Sequence, residues 1–199
     1  LPAPDPAERR RDRLWLAGVL AGALLLTLVA AHWTLAMWSF TLDQILFRST
    51  AAWVPHALPG SLWDLATYQR GTQRLSEWIQ AVTLGVFGSP TGFRVGRWIF
   101  VLSYASTVAP VWLLARRAGA DRAWATVGAL MAVLVPWAIV SGTFLTEPLA
   151  YPLFAWAMLA CWGSAVHGGW RWDLLALVAI GAAALARTGM VLLVVVLAV

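Results

Sequence analysis

The sequence predicts an all-α fold, a polytopic transmembrane helical bundle, and three observations predict it. The 199-residue chain is 61% hydrophobic, only 12% charged, and has a mean hydropathy of +0.74. A soluble domain of this length has too little interior to hide so much apolar side chain. Several apolar runs approach the roughly 20 residues that a helix needs to cross the hydrocarbon core of a bilayer. One long polar stretch, 39–94, interrupts these runs and carries three of the nine acidic and four of the fourteen basic residues.

Taken in order, residues 1–13 are rich in proline and charge: Pro2, Pro4 and Pro6, then Glu8-Arg9-Arg10-Arg11-Asp12-Arg13. They read as a disordered cytoplasmic tail ahead of a membrane module at 14–199. Arginines immediately before an apolar run place that side in the cytoplasm. The first span is expected over 14–38. Its Gly18 and Gly22, four apart, allow close helix packing, and His32 lies near Trp33 and Trp38 in an interfacial belt.

The polar stretch 39–94 is then the first extracytoplasmic loop. Thr41-Leu42-Asp43-Gln44 fits a capping box and predicts a short helix with Asp43 in its first turn. Pro55, Pro59 and Gly60 break the chain. A second helix is expected over 72–86. Leu75, Trp78, Ile79, Val82 and Val86 recur at helical spacing, opposite Gln73, Glu77, Gln80 and Thr83. That helix is too short and polar to span, and is expected to lie flat on the outer membrane surface.

Further spans are expected over 95–114, 123–140 and 149–166, a short apolar run over 174–186, and another from Met190. The basic turn Arg116-Arg117-Ala118-Gly119-Ala120-Asp121-Arg122 and the turn at His167 to Trp172 fall on the cytoplasmic side, in agreement with the tail. The segment around Glu147 and the Arg187-Thr188-Gly189 break fall outside. The sequence opens at Leu1 rather than Met and stops within the apolar run 191–199. It reads as the N-terminal part of a larger membrane protein.

Several function classes are excluded. The chain has no Walker loop, no dinucleotide glycine motif and no His/Cys metal cluster. Its net charge of +5 is split between the two sides of the membrane and forms no stripe for nucleic acid. Cys161 is alone and has no internal disulfide partner.

What remains is a set of acids and arginines expected on one side. Asp43, beside the membrane boundary, is placed either to take a proton from an attacking hydroxyl or to complement its helix dipole. Glu147, between Thr146 and Pro148, suits a first helical turn; as an acid near membrane depth it is also a candidate for orienting an arginine, a metal or an acceptor. Arg70 and Arg74, four apart, point the same way on a helix and suit a phosphate clamp, or snorkel to lipid headgroups. Arg97 and Arg187 are phosphate candidates with the same alternative. Arginines on an outer face run against the positive-inside bias, and an anionic substrate would account for them.

The order of these motifs resembles the GT-C superfamily of polyprenyl-phosphate-sugar-dependent glycosyltransferases. The nearest look is to the protein-mannosyltransferase and aminoarabinose-transferase type and to the arabinofuranosyltransferases of mycolate-type cell walls. The residues that carry it are Thr41-Leu42-Asp43-Gln44, Tyr68-Gln69-Arg70-Gly71-Thr72-Gln73-Arg74-Leu75, Phe93-Arg94-Val95-Gly96-Arg97, Pro110 to Arg117, Thr146-Glu147-Pro148 with Tyr151-Pro152, and Ala186-Arg187-Thr188. The family usually has an Asp or an Asp-Glu pair early in its first outer loop. Gln44 stands at the second position here, leaving Asp43 as the acid there and Glu147 as its remaining partner.

The resemblance implies an inverting transfer at the outer face of a bacterial plasma membrane. The donor is a polyprenyl-phosphate sugar, and the acceptor a cell-envelope glycan, lipid or protein. Asp43 acts as general base with Glu147 as the second catalytic acid. Arg187, Arg97, Arg70 and Arg74 bind the donor phosphate, with a divalent cation as an optional aid. Two other classes fit the same composition: a transporter or flippase of lipid-linked saccharides, and a non-catalytic membrane scaffold subunit. The first predicts broken or charged helices at the bilayer midplane, for which Pro136 and Pro152 are the hints. The second predicts indifference to Asp43→Asn.

Overall fold

The computed structural model describes residues 6–36, 74–88, 91–134 and 146–198. Among them the structure is helical: α1 (Pro6–Ala36), α2 (Arg74–Phe87), α3 (Thr91–Ser106), α4 (Val108–Arg117), α5 (Arg122–Leu134), α6 (Glu147–His167), α7 (Trp170–Ala186), a 3-10 turn (Thr188–Leu192) and α8 (Leu193–Ala198). Three stretches are long and apolar enough to cross a membrane, Pro6–His32, Thr91–Arg117 and Glu147–His167. The chain is therefore an all-α polytopic membrane protein. The end of the expected third span, 135–140, and the expected outer loop at 141–145 lie outside the described residues.

The first correction falls at the N-terminus. Residues 6–13, expected to be disordered, form the opening turns of α1. Pro6 suits a first helical position and Glu8 complements the dipole. Glu8 and Asp12, four apart, share a face, and that face meets the turn between α4 and α5. Asp12 Oδ1 accepts from Arg122 Nε at 2.6 Å, and its Oδ2 accepts from Arg116 Nη2 at 3.3 Å. Glu8 Oε1 lies 3.8 Å from both guanidinium groups. Arg116 also donates to the Ala120 carbonyl and stacks over the Trp112 ring. One helical turn deeper, the indoles of Trp15 and Trp112 both donate to the Thr126 hydroxyl, which donates in turn to the Arg122 carbonyl.

Below this network α1, α3, α4 and α5 share one core: Val19, Ala23, Tyr104, Val108, Trp112, Ala125, Ala129 and Val133. The Tyr104 hydroxyl donates to the Val133 carbonyl at 3.3 Å and ties α3 to α5. The expected span 95–114 is broken at Thr107, between α3 and α4. Pro110 explains the break: it offers no N–H to the Ser106 carbonyl, and its ring crowds that carbonyl. Thr107 N instead makes the tighter bond to Tyr104 O at 3.1 Å.

The second half is an antiparallel hairpin of α6 and α7. It turns at Gly168 and Gly169, both at positive φ (63° and 93°), and Ser164 donates to the Asp173 carboxylate across it. Small side chains line its seam: Ala157, Ala160, Cys161, Ala176 and Ala183, with Ile180 and Leu193. Gly163 receives the Trp172 ring, which would lie 2.6 Å from a Cβ there.

Helix α2 forms where the periodicity places it, but it packs into the bundle rather than lying on its surface. The polar side that was expected to face water is buried: Ser76, Glu77, Gln80 and Thr83 are each at most 4% exposed. Trp78, Val82 and Val86 are exposed, as a lipid-facing side is. Leu75 and Ile79, on the edge of the buried face, pack onto Phe100, Leu149, Ala150 and Ala186. At its other end α2 meets α3 at backbone distance, so that a Cβ on Gly92 would stand 2.5 Å from the Thr83 carbonyl oxygen.

Two stability predictions follow from these contacts. Gly92→Ala forces α2 away from α3 and is expected to destabilise by about 1–3 kcal/mol. Gly85→Ala, with open space around it, is expected to be neutral or slightly stabilising. Thermal unfolding in detergent, followed by tryptophan fluorescence, separates the two. Asp12→Ala leaves Arg116 and Arg122 facing each other without their shared acceptor. A loss of about 1.5–3 kcal/mol is expected, against less than about 0.5 kcal/mol for Arg117→Gln on the exposed side of the same turn.

Candidate functional site at the Glu147 end of the bundle

The helices run alternately, so each end of the bundle collects particular termini. The start of α1 meets the α4–α5 turn at the Asp12 end. The opposite end gathers the close of α1, the close of α2 with the start of α3, the start of α6 and the close of α7, and Leu75 near the start of α2 packs beside the first turn of α6. Glu147 and Arg187 meet there. Glu147 opens α6, with Pro148 following it in the first turn. Arg187 closes α7 in an extended conformation (φ −154°), and its N–H bonds the Ala183 carbonyl at 2.9 Å. Its own carbonyl accepts Met190 N, which starts the 3-10 turn.

The two side chains form an ion pair, Arg187 Nη1 to Glu147 Oε1 at 3.6 Å. The second carboxylate oxygen, Oε2, accepts from the Thr146 hydroxyl at 3.3 Å. Glu147 is 20% exposed and Arg187 51% exposed. One face of the guanidinium is thus held by the carboxylate while the rest stays open. Burial of Leu149, Ala150 and Ala186 fixes the two backbones beneath the pair. Arg74 opens α2 in the same neighbourhood, because Leu75 and Ile79 pack into that cluster.

Arg97 is elsewhere. It lines a cavity of about 410 Å³ between α1 and α3, together with His32 and Arg94. Phe100, one turn along α3, points away from this cavity into the cluster beneath Glu147. The sequence-predicted residues therefore fall into separate groups: Glu147 with Arg187, and Arg97 with two groups that the motif reading did not single out as a site. Asp43 and Arg70 lie outside the described residues.

The buried polar face of α2 is a second feature that sequence did not place. Gln80 is 1% exposed, and neither its amide oxygen nor its nitrogen has a hydrogen-bond partner. Leaving such a group unsatisfied costs about 1–3 kcal/mol. The helical alternation signalled two faces; only the packing reveals which turns inward.

A family model described as dolichyl-phosphate-mannose-protein mannosyltransferase matches residues 74–199, from the start of α2 to the end of the chain. The chain belongs to this family. It is therefore a membrane glycosyltransferase family member, of the type that takes its sugar from a polyprenyl phosphate. No curated protein and no solved structure gives a significant match. Glu147 and Arg187 fall within the matched region, as does the whole of α2, whereas α1 and the stretch with Asp43 precede it.

Among the described residues no group of three or more His, Cys, Asp or Glu is arranged to hold a metal, and Glu147 already faces a guanidinium. The arrangement leaves Arg187 half exposed beside the carboxylate that faces it. Because Arg187 is half exposed, its pairing with Glu147 behaves as a surface ion pair. A double-mutant cycle with Glu147→Gln and Arg187→Gln is expected to give a coupling of about 0.2–1 kcal/mol in unfolding free energy. A coupling several times larger would mean that the pair carries the fold rather than standing ready for a ligand.

Proposed function

We propose that the chain transfers a sugar from a polyprenyl-phosphate donor to a cell-envelope glycan, lipid or protein acceptor at the outer face of a bacterial plasma membrane, with inversion. The observation that carries this reading is the Glu147–Arg187 pair, a guanidinium held by a carboxylate on one side and open on the other. The Glu147 end is the extracytoplasmic end in this reading, since the arginine-rich Asp12 end suits the cytoplasm.

In the reaction, the acceptor oxygen attacks the anomeric carbon and the bond from that carbon to the phosphate oxygen breaks. The bonding pair leaves with the lipid phosphate, and the acceptor proton passes to the Asp43 carboxylate. A hydroxyl is a weak nucleophile and needs that base. The departing phosphate gains negative charge, and a preorganised guanidinium at Arg187 meets it. Glu147 keeps Arg187 in position and lowers the cost of holding a bare cation near membrane depth. Arg74 and Arg70 supply further positive charge from the start of α2 and the segment before it.

The test uses protein purified in lipid nanodiscs, a panel of radiolabelled polyprenyl-phosphate sugars and a cell-envelope acceptor extract. Wild type is expected to transfer label. Asp43→Asn is expected to lose about 10²–10⁴-fold in rate, and Arg187→Gln about 10²–10³-fold. Glu147→Gln is expected to lose less than Arg187→Gln. Transfer that survives Asp43→Asn unchanged removes the assigned base; donor lipid bound and moved across the bilayer without any transfer favours the transporter class instead.

A further inference from the structure

The opening turns of α1 sort their charges by face. Glu8 and Asp12 turn inward and pair with Arg116 and Arg122. A nearer partner stands in the sequence, since Arg11 follows Glu8 by three residues, a spacing that suits an ion pair on a helix. The structure passes it over. Arg10, Arg11 and Arg13 are exposed, as is Arg117 beside Arg116 at the close of α4. Among the described residues none of these four arginines has an ion-pair partner. Arg9 has an interaction of its own and is not counted with them. The other described acids at this end are engaged elsewhere: Asp121 accepts from Trp124 N, and Asp173 from the Ser164 hydroxyl. Arg10 and Arg13, three apart, are like charges at neighbouring positions, which costs a helix stability unless an anion stands between them.

Aromatic side chains mark the depth at which these arginines stand. Trp15 on α1, Trp124 on α5 and Trp170 on α7 lie near the starts of their helices, all three at the Asp12 end, and all are exposed. Indole rings on the outside of a membrane bundle sit at headgroup level. Arg10, Arg11 and Arg13 precede Trp15 by two to five residues, about 3–8 Å along the helix axis, which carries them from the indoles out toward the phosphates. Below them the surface is apolar. Leu14 and Leu25 are exposed and fall on the same stripe of α1 as Arg10, since four and fifteen residues are close to whole numbers of turns.

We propose that the outward face of the α1 start, with Arg117 beside it, is a binding surface for anionic bilayer phospholipid in the leaflet at the Asp12 end. Headgroup phosphates lie against Arg10, Arg11, Arg13 and Arg117, and an acyl chain runs along Leu14 and Leu25. Guanidinium forks match phosphate oxygens, and basic residues clustered just ahead of a span are the pattern that an anionic lipid surface attracts. Binding has a structural consequence. An anion that holds Arg11 outward leaves Glu8 to Arg116 and Arg122, so the lipid secures α1 on the α4–α5 turn. The surface lies on α1 and α4, and α1 precedes the family-matched region; it does not rest on the transfer reading.

Native mass spectrometry of the whole chain in detergent tests this, with phosphatidylglycerol and phosphatidylcholine added singly and in competition, and inorganic tripolyphosphate as a soluble competitor. Phosphatidylglycerol is expected to bind at least about tenfold more tightly than phosphatidylcholine. Arg10→Gln and Arg13→Gln are each expected to weaken it about fivefold, and the double variant about 25-fold. Arg94→Gln removes one exposed arginine at the other end and is expected to leave binding unchanged. All three positions are exposed, so their replacement leaves the fold intact. Thermal unfolding gives a second readout: phosphatidylglycerol is expected to raise the Tm of the wild type and not that of the double variant. Equal affinity for the two lipids, unchanged binding or an equal rise in Tm in the double variant, or an equal loss in Arg94→Gln overturns the surface. Displacement of phosphatidylglycerol by an equimolar amount of tripolyphosphate overturns the lipid as its occupant.

Discussion

The close approach of helices through small side chains is the constraint on which the rest of this structure depends. Lipid tails are as apolar as leucine, so helices in a bilayer gain little by burying large aliphatic groups against each other. They associate where backbones come near enough for dense van der Waals contact. The α6–α7 seam does this with Ala157, Ala160, Ala176 and Ala183, and the α2–α3 seam with Gly92 against the Thr83 carbonyl. The leucines, valines and tryptophans are largely left on the outside. The register of α6 on α7 sets where Glu147 meets Arg187.

The two ends of the bundle treat charge differently. At the Asp12 end, two carboxylates face two guanidinium groups, and the indoles and Thr126 complete the network. Charges there are matched by one another and hold α1 to the α4–α5 turn. At the Glu147 end, a single carboxylate faces a half-exposed arginine, and two more arginines line the α1–α3 cavity. A guanidinium that is half exposed beside its carboxylate is a reason to look for ligands at that end. The same reasoning argues against the Asp12 ion-pair cluster as a ligand site, although it is richer in charge.

The helices themselves were largely legible in the sequence. Thr146-Glu147-Pro148 marks the start of α6 and Arg187-Thr188-Gly189 the close of α7, because an acid and a proline suit a first turn and glycine a helix end. The pairing of Glu147 with Arg187 was not legible, since the hairpin between them decides it and no local pattern encodes its register. The helical start of α1 was hidden for a related reason. Its arginine-rich sequence has the composition of a solvated tail, and the partners that order it, Arg116 and Arg122, lie far along the chain. The break at Thr107 was open to reading from Pro110, whose missing N–H falls where an unbroken span was expected.

The burial of the polar face of α2 shows where amphipathic reasoning stops. Periodicity separates Leu75, Trp78, Val82 and Val86 from Glu77, Gln80 and Thr83, and a membrane-surface helix would turn the second set to water. In the fold that set faces inward, and Trp78, Val82 and Val86 face out. This arrangement suits a bilayer on the outside and a polar interior: the apolar face meets lipid, while Glu77 and Gln80 enter the bundle. A soluble protein would suffer from it on both faces, through exposed tryptophan and valine and through a buried amide without a partner. In a bilayer the exposed tryptophan and valines face lipid at no cost, and only the cost of the buried, unsatisfied Gln80 amide remains.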